Sequence, residues 1–250
     1  MRCLSFSLWG DDPVYTAGAV CNADLAAALF PGWTCIVACY RSVPRAVVCA
    51  LESRANVEVR RLDADLADGD SRGMFARMLI AGEPIECMIC RDADSRLSQR
   101  ERLAVDDWLA RGTDLHVMRD HPFHGVPIPG GMWGVRGGRL TDIGRAIAAF
   151  APTALKGQDQ AFLADWVWGR VRRGELSCTV HDPFFAARPF PRTAARGAAN
   201  GGVWFVGQCF DENDRWTSRS DIDAVLKAER AVPRWKRLRS CLRRRAGPWG

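Results

Sequence analysis

The sequence predicts an α/β domain: a mainly parallel, Rossmann-type central sheet flanked by helices, with a basic helical tail behind it. Three observations carry that reading. Strand-like and helix-like segments alternate over the first 120 residues, the pattern of parallel strands joined by crossover helices. The segment 85–90, IECMIC, is mostly apolar, as a strand covered on both faces must be. It runs into Arg91-Asp92-Ala93-Asp94, after which Ser98 and Glu101 spell an S-x-x-E capping box ahead of Leu103, Val105, Trp108 and Leu109, a well-marked helix start. The domain is expected over 1–215 and the tail over 216–250.

Each element has its own local signal. A first strand at 4–8 ends in Trp9-Gly10-Asp11-Asp12-Pro13, which reads as a loop. Asn22 or Asp24 caps a short helix through residue 29, and Pro31-Gly32 stops it. A strand at 35–40 is followed by a helix whose first turn carries Pro44. A strand at 57–62, an acidic loop, a helix at 72–79 and the strand at 85–90 continue the alternation. The helix at 98–110 ends at Gly112, and a short strand covers 115–119. Beyond it lie Asp120-His121-Pro122-Phe123-His124 and a glycine-rich stretch, 127–134, then a helix at 142–150. Lys156-Gly157-Gln158-Asp159-Gln160 leads into a helix with Phe162, Leu163, Trp166 and Val167 on one face. After His181-Asp182, a Pro/Arg/Gly/Ala loop over 186–202 is expected to be a flexible cover, and 203–208 to be the last strand. There are no internal repeats.

At 250 residues and 48% hydrophobic, the chain has room for one sizeable core. No apolar run approaches the ~18–20 residues of a membrane-spanning helix, and the start, MRCLSFSLWGDD, does not read as a signal peptide. A cytoplasmic location is expected. Ten cysteines are present. Most lie in apolar runs, Cys87 and Cys90 would face opposite sides of a strand, and free thiols in a reducing compartment are expected. The net charge is +6, and residues 231–250 hold seven Lys or Arg and no acid, so the rest sums to −1. That near-neutral body gives no reason to expect nucleic-acid binding. The tail places Trp235, Leu238 and Leu242 among the cations at helical spacing, an amphipathic pattern suited to an anionic membrane surface.

D-x-D occurs four times, at 63–65, 68–70, 92–94 and 221–223. Only 92–94 follows a mostly apolar strand and precedes a capped helix. On an extended chain Asp92 and Asp94 face one side while Ala93 takes the other. Two carboxylates at a strand exit suit a hard divalent cation, which in turn can hold a diphosphate. Trp9, Tyr40 and Asp92 all fall at carboxyl ends of strands, where α/β sheets bind ligands.

Several of these pieces together resemble one family. They are the SFSLWG start with Tyr15, Gly18-Ala19 and Asn22-Ala23; Pro31-Gly32-Trp33 before Tyr40 and Val43-Pro44; RGMFARML; RDADSRLSQRE; MRDHPFHGVPIPGGMWG; GQDQAFL; His181-Asp182; and FVGQCFDEND. In this order, over about residues 3–214, they resemble the small GT-A-type glycosyltransferases related to the first domain of an algal-virus glycosyltransferase and its bacterial counterparts. More distantly the layout is similar to lipopolysaccharide galactosyltransferases. The resemblance implies a GT-A fold, a nucleotide-diphosphate-sugar donor (with uridine as the base), Mn2+ or Mg2+, and a saccharide or lipid-linked acceptor in cell-surface polysaccharide synthesis.

It also implies roles. Asp92 and Asp94 would be the metal pair, with His181 as a further ligand. Leu8, Trp9 and Tyr40 would wall the base pocket, Arg77 and Asp92 would contact the donor, and Gly130-Gly131 would let backbone approach the donor sugar. Asp159 would be the base if the reaction inverts; Asp159 or Gln160 would steady the sugar cation if it retains. Asp120 and His121 would hydrogen-bond acceptor hydroxyls. The alternatives are a two-ion phosphoesterase built on Asp92, Asp94, Asp120, His121, His124 and His181, and a nucleotide-sugar-binding module without turnover.

Overall fold

The computed structural model describes residues 1–67, 69–185 and 187–231. Seven strands form one mixed sheet: β1 Arg2–Leu8, β2 Thr34–Tyr40, β3 Val57–Leu62, β4 Cys87–Arg91, β5 Leu115–Met118, β6 Met132–Arg136 and β7 Cys178–His181. Their order across the sheet is β3-β2-β1-β4-β6-β5-β7. Only β6 runs against its neighbours; every other pairing is parallel. Register aligns Leu8 with Cys39, Met118 with His181, and Arg91 with Met132. The exits of the parallel strands and the entry of β6 therefore share one edge of the sheet, and the loops carrying Asp92 and Gly130-Gly131 meet there.

Helix α1, Pro13–Leu29, starts earlier than its sequence suggests. The Asp12 carboxylate accepts from Val14 N at 2.9 Å, and Pro13 sits at the first helical position, where its missing N–H costs nothing. The expected caps are not caps: Asp24 pairs with Arg54 at 2.7 Å, and Asn22 is buried in mid-helix. Helix α2 covers Arg45–Glu52 behind Pro44. The expected helix at 72–79 is a 3-10 helix, Ser71–Gly82, capped by Asp70. In α3, Gln99–Arg111, Ser98 accepts from Glu101 N at 3.4 Å, which forms half of the capping box. The Glu101 carboxylate instead pairs with buried Arg91. Then come α4, Ile143–Phe150, and α5, Gln158–Phe162, which passes through one wider π turn, Leu163–Val167, into α6, Trp168–Arg172.

The sheet separates two apolar layers. Leu4, Phe6, Leu8, Cys35, Val37, Cys87 and Ile89 pack under α1, α2 and α3. Cys3, Met88, Cys90, Val117, Trp133 and Val135 pack under the 3-10 helix and α4–α6. Cys87 and Cys90 do face opposite layers, and the nine described cysteines are all free thiols.

Three expectations fail in the second half. The glycine-rich stretch hides β6, because Gly134 is what fits there: a Cβ on it would fall 2.8 Å from Met88 O on β4. Residues 203–208 form turns rather than the last strand, since side chains take their amides: Gln208 Oε1 accepts from Trp204 N at 2.7 Å and Asp120 from Val206 N at 3.0 Å. The edge strand is β7. The proposed flexible cover is folded where described, with Phe190 and Ala194 buried and Asn200 Oδ1 accepting from Arg100 N at 3.0 Å. Helix α7, Arg219–Ala231, buries Ile222 and Val225. The rest of the basic pattern, 232–250, lies outside the described residues. Among the described residues no helix is long and apolar enough to cross a membrane.

Candidate active site

The chain leaves β4 into a tight turn, where Ser95 Oγ donates to Asp92 O at 2.8 Å. Ala93 is buried while Asp92 and Asp94 on either side are partly open. Burial, and then the neighbouring Asp92 charge, push the Asp94 carboxyl above its ordinary range.

Behind Asp92 lies a buried cation. Arg77, on the 3-10 helix, donates Nη1 to Asp92 Oδ1 at 2.5 Å and to Arg91 O at 3.1 Å, and its Nη2 stands 3.5 Å from Asp159 Oδ2. Burial opposes its charge, but Asp92 and Asp159 outweigh that and hold the guanidinium charged. Its Nε has no partner. Asp159 is buried at the head of α5, and burial raises its carboxyl while Arg77 draws it back. Gln160, beside it, is exposed.

The two glycines before β6 fit against these carboxylates. A Cβ on Gly131 would lie 2.0 Å from Asp92 Oδ2, and one on Gly130 would lie 2.2 Å from Asp159 Oδ2. What they admit in this structure is the protein's own acids. Trp9 and Tyr40, both half-buried, follow or end neighbouring strands, and Gly10 N donates to Ser42 Oγ at 3.0 Å to tie the two exits together. Trp9 lies against Gly73, whose Cβ would come within 2.4 Å of the indole. The Leu8 side chain belongs to the α1-side core, so it does not present a wall to this edge.

The remaining candidates are placed elsewhere. His181 ends β7, three strands from β4. It is fully buried, with Nδ1 2.8 Å from His116 Nε2 and Nε2 3.2 Å from Asp107. Both ring nitrogens are thus committed, and His181 cannot join Asp92 and Asp94 as a ligand. Asp120 is fully buried between Arg100, at 2.6 Å, and Arg196, at 2.7 Å. His121 Nδ1 accepts from Phe123 N at 3.1 Å, so its Nε2 donates to Asp221 O at 3.0 Å. Neither is free for an acceptor hydroxyl, and these side chains do not gather into a second ion site.

Three more side chains act on the carboxylate pair or feel its charge, and of these the sequence offers only His124 as a candidate, in the phosphoesterase alternative. The Cys209 thiol is pushed up to about 12 by burial and then by Asp94. Tyr15 is raised by burial and then by Asp94. His124 is lowered to about 4 by burial and then by His121, with Asp92 among the charges opposing the shift. Nothing local marks Tyr15 and Cys209 as neighbours of this pair, since they come from α1 and the segment before α7.

A divalent cation fits this donor set. The Asp92 charge raises the cost of ionising Asp94, which a cation would relieve. Among the described residues no group of three or more His, Cys, Asp or Glu is arranged to hold a metal. The protein would thus supply two oxygens and leave the other positions to phosphate and water, the usual arrangement for Mg2+-type ions.

No protein-family model matches the chain, and no curated protein does. Among solved structures, the galactosyltransferase LgtC in complex with donor and acceptor sugar analogs matches 95% of this chain and 99% of its own, at TM-score 0.51 and 14% identity. An active-site mutant of LgtC gives TM-score 0.53 at 13% identity over the same shares. The fold is that of the GT-A glycosyltransferases. A glycosyltransferase involved in glycosylation of the major capsid of PBCV-1 covers 92% of this chain and 99% of its own at 14% identity, with TM-score 0.47. The S. aureus TarS fragment 1-349 covers 64% of this chain at 12% identity and TM-score 0.44, and the chain spans 53% of that structure. Open α/β sheets bind ligands beyond the carboxyl ends of their parallel strands, and the turn after β4 that carries Asp92 and Asp94 lies at that edge.

Proposed function

We propose that the chain is a metal-dependent glycosyltransferase that moves a sugar from a nucleotide-diphosphate donor, with uridine as the base, to a saccharide or glycolipid acceptor. One observation carries this reading: at the ligand-binding edge of a GT-A fold, the Asp92/Asp94 pair is joined through Arg77 to a second buried acid, Asp159. LgtC, of the same fold, has been captured with donor and acceptor sugar analogs, which supports a two-substrate transfer.

Breaking the bond between sugar and diphosphate builds negative charge on the leaving group and positive charge on the ring. A divalent ion held by Asp92 and Asp94 supplies charge stabilisation for the diphosphate. Arg77 orients Asp92 and also holds Asp159. Asp159 offers a carboxylate to the sugar-ring charge or, with its pKa raised by burial, accepts the acceptor proton. Gln160, exposed beside it, offers an amide to substrate hydroxyls. Trp9 and Tyr40 present ring surface for the base.

The test is to incubate the full chain with UDP-hexoses and Mn2+, with and without a panel of saccharides, following free UDP and product mass. Transfer predicts UDP release that depends on a saccharide and a product one hexose heavier. Nucleotide or phosphate release that ignores the acceptor identifies a phosphoesterase instead, and binding without release identifies a carrier module.

A further inference from the structure

The backbone of the Asp92–Asp94 turn is gripped from two sides, and one grip comes from the middle of α1. Gly18 and Asn22, four residues apart, share the helix face that meets the turn. A Cβ on Gly18 would fall 2.1 Å from Ala93 O, so the helix touches the turn there. Asn22 has 0% of its surface exposed. Its Nδ2 donates to Ala93 O at 3.2 Å and to Ser95 O at 2.8 Å, and its Oδ1 accepts from Leu97 N at 3.0 Å. These partners fix the carboxamide orientation, because the flipped amide would set donor against donor. None of the three bonds serves α1, where asparagine is a poor interior residue.

The second grip is Arg96. Its Nη1 donates to the same two carbonyls, Ala93 O at 3.3 Å and Ser95 O at 3.0 Å, while Nη2 reaches Asp211 O at 3.2 Å and Nε reaches Asp214 at 2.7 Å. Phe210 N donates to Asp94 O at 2.9 Å, and Ser95 Oγ takes Asp92 O. Every carbonyl from 92 to 95 is therefore occupied. Neither the Asp92 nor the Asp94 carboxylate is spent on holding the turn: Asp92 takes Arg77 through one oxygen, Asp94 takes the Cys209 thiol, and their remaining acceptor capacity is left for a ligand.

We propose that Asn22 is a positioning residue for the cation: its carboxamide sets the separation and direction of the Asp92 and Asp94 carboxylates. This rests on the metal-dependent reading above. Metal–ligand distances tolerate errors of only about 0.2 Å, so loosening the turn should be felt in ion affinity before it is felt in the fold.

The experiment reads free Mn2+ by EPR as the full chain is titrated, with and without UDP, at a temperature where circular dichroism shows each variant folded. Asn22→Ala is expected to weaken Mn2+ binding in the presence of UDP by about tenfold or more, the loss typical of removing support behind a metal ligand. Asn22→Ser, which can still donate to one carbonyl, is expected to fall between wild type and Asn22→Ala and carries the test if the alanine variant does not fold. Val48→Ala, in the α2 side of the same apolar layer, controls for lost stability and is expected to bind as wild type. Wild-type affinity in both Asn22 variants, or an equal loss in Val48→Ala, would overturn the proposal. Failure of the wild-type chain to bind Mn2+ with UDP would instead bring down the functional reading beneath it.

Discussion

The two glycines before β6 give separate handles on the two acids. Neither has a positive φ, so alanine is opposed by contact alone. In Gly131→Ala the new methyl lies 2.0 Å from Asp92 Oδ2 and 2.7 Å from Asp92 N, whereas real Cβ atoms essentially never approach within 3.0 Å. The carboxylate must retreat by about 1 Å, several times the ~0.2 Å tolerance of a metal ligand. The backbone amide cannot swing aside. Losing one of two protein ligands should weaken Mn2+-dependent UDP binding by roughly 10–100-fold, about 1.4–2.8 kcal/mol. In Gly130→Ala the methyl meets Asp159 Oδ2 at 2.2 Å and Arg77 Nη2 at 3.3 Å, and no Asp92 atom is among its three nearest. Binding should then stay within about threefold of wild type, while turnover falls by roughly 10²-fold, as for a ~1 Å misplacement of a reacting group. Calorimetry with UDP and Mn2+ measures the first effect and acceptor-dependent UDP release the second. A reversed pattern, or two variants indistinguishable from wild type, would refute this assignment of the two acids.

Other outcomes follow from the same geometry. Asp120→Ala leaves the buried Arg100 guanidinium without a carboxylate and Arg196 with Glu229 alone, so denaturant unfolding should show a loss of about 3–5 kcal/mol; unchanged stability with a raised acceptor KM would restore the acceptor role. His181 is buried neutral with its pKa lowered to about 4, below the ~6.5 of an unfolded chain. Its contribution is complete above pH 6.5 and is lost as pH falls toward 4, by about 2 kcal/mol between pH 7.5 and 5. His181→Gln should flatten that part of the unfolding-midpoint curve, and an unaltered slope would contradict it. If the basic segment meets a membrane, a chain ending at 231 should lose pelleting with anionic liposomes while keeping UDP binding; equal pelleting would exclude that role.

The alternation of the first 120 residues and the carboxylate turn after β4 were legible because their signals are local: an apolar run, a strand exit, a capped helix. The start of α1 is legible too, in Asp12-Pro13, but that pair also fits a loop, and Asn22, a residue with a tertiary task, has the side chain of a cap. Strand β6 was hidden by the glycine that lets it approach β4. His181 and Asp120 misled for a different reason. Their partners, His116, Asp107, Arg100 and Arg196, are 20 to 76 residues away in sequence, and no local pattern says that a histidine or aspartate is already satisfied. The bridge from Arg77 to both Asp92 and Asp159 is likewise a product of the fold.

Calorimetric titration of the full chain with UDP, in Mn2+ and again in chelator, comparing wild type with Asp94→Asn, bears most directly on the central claim. The account predicts binding that requires the metal and is weakened at least about tenfold by the substitution. UDP binding that persists in chelator, or is equally strong in Asp94→Asn, would contradict it.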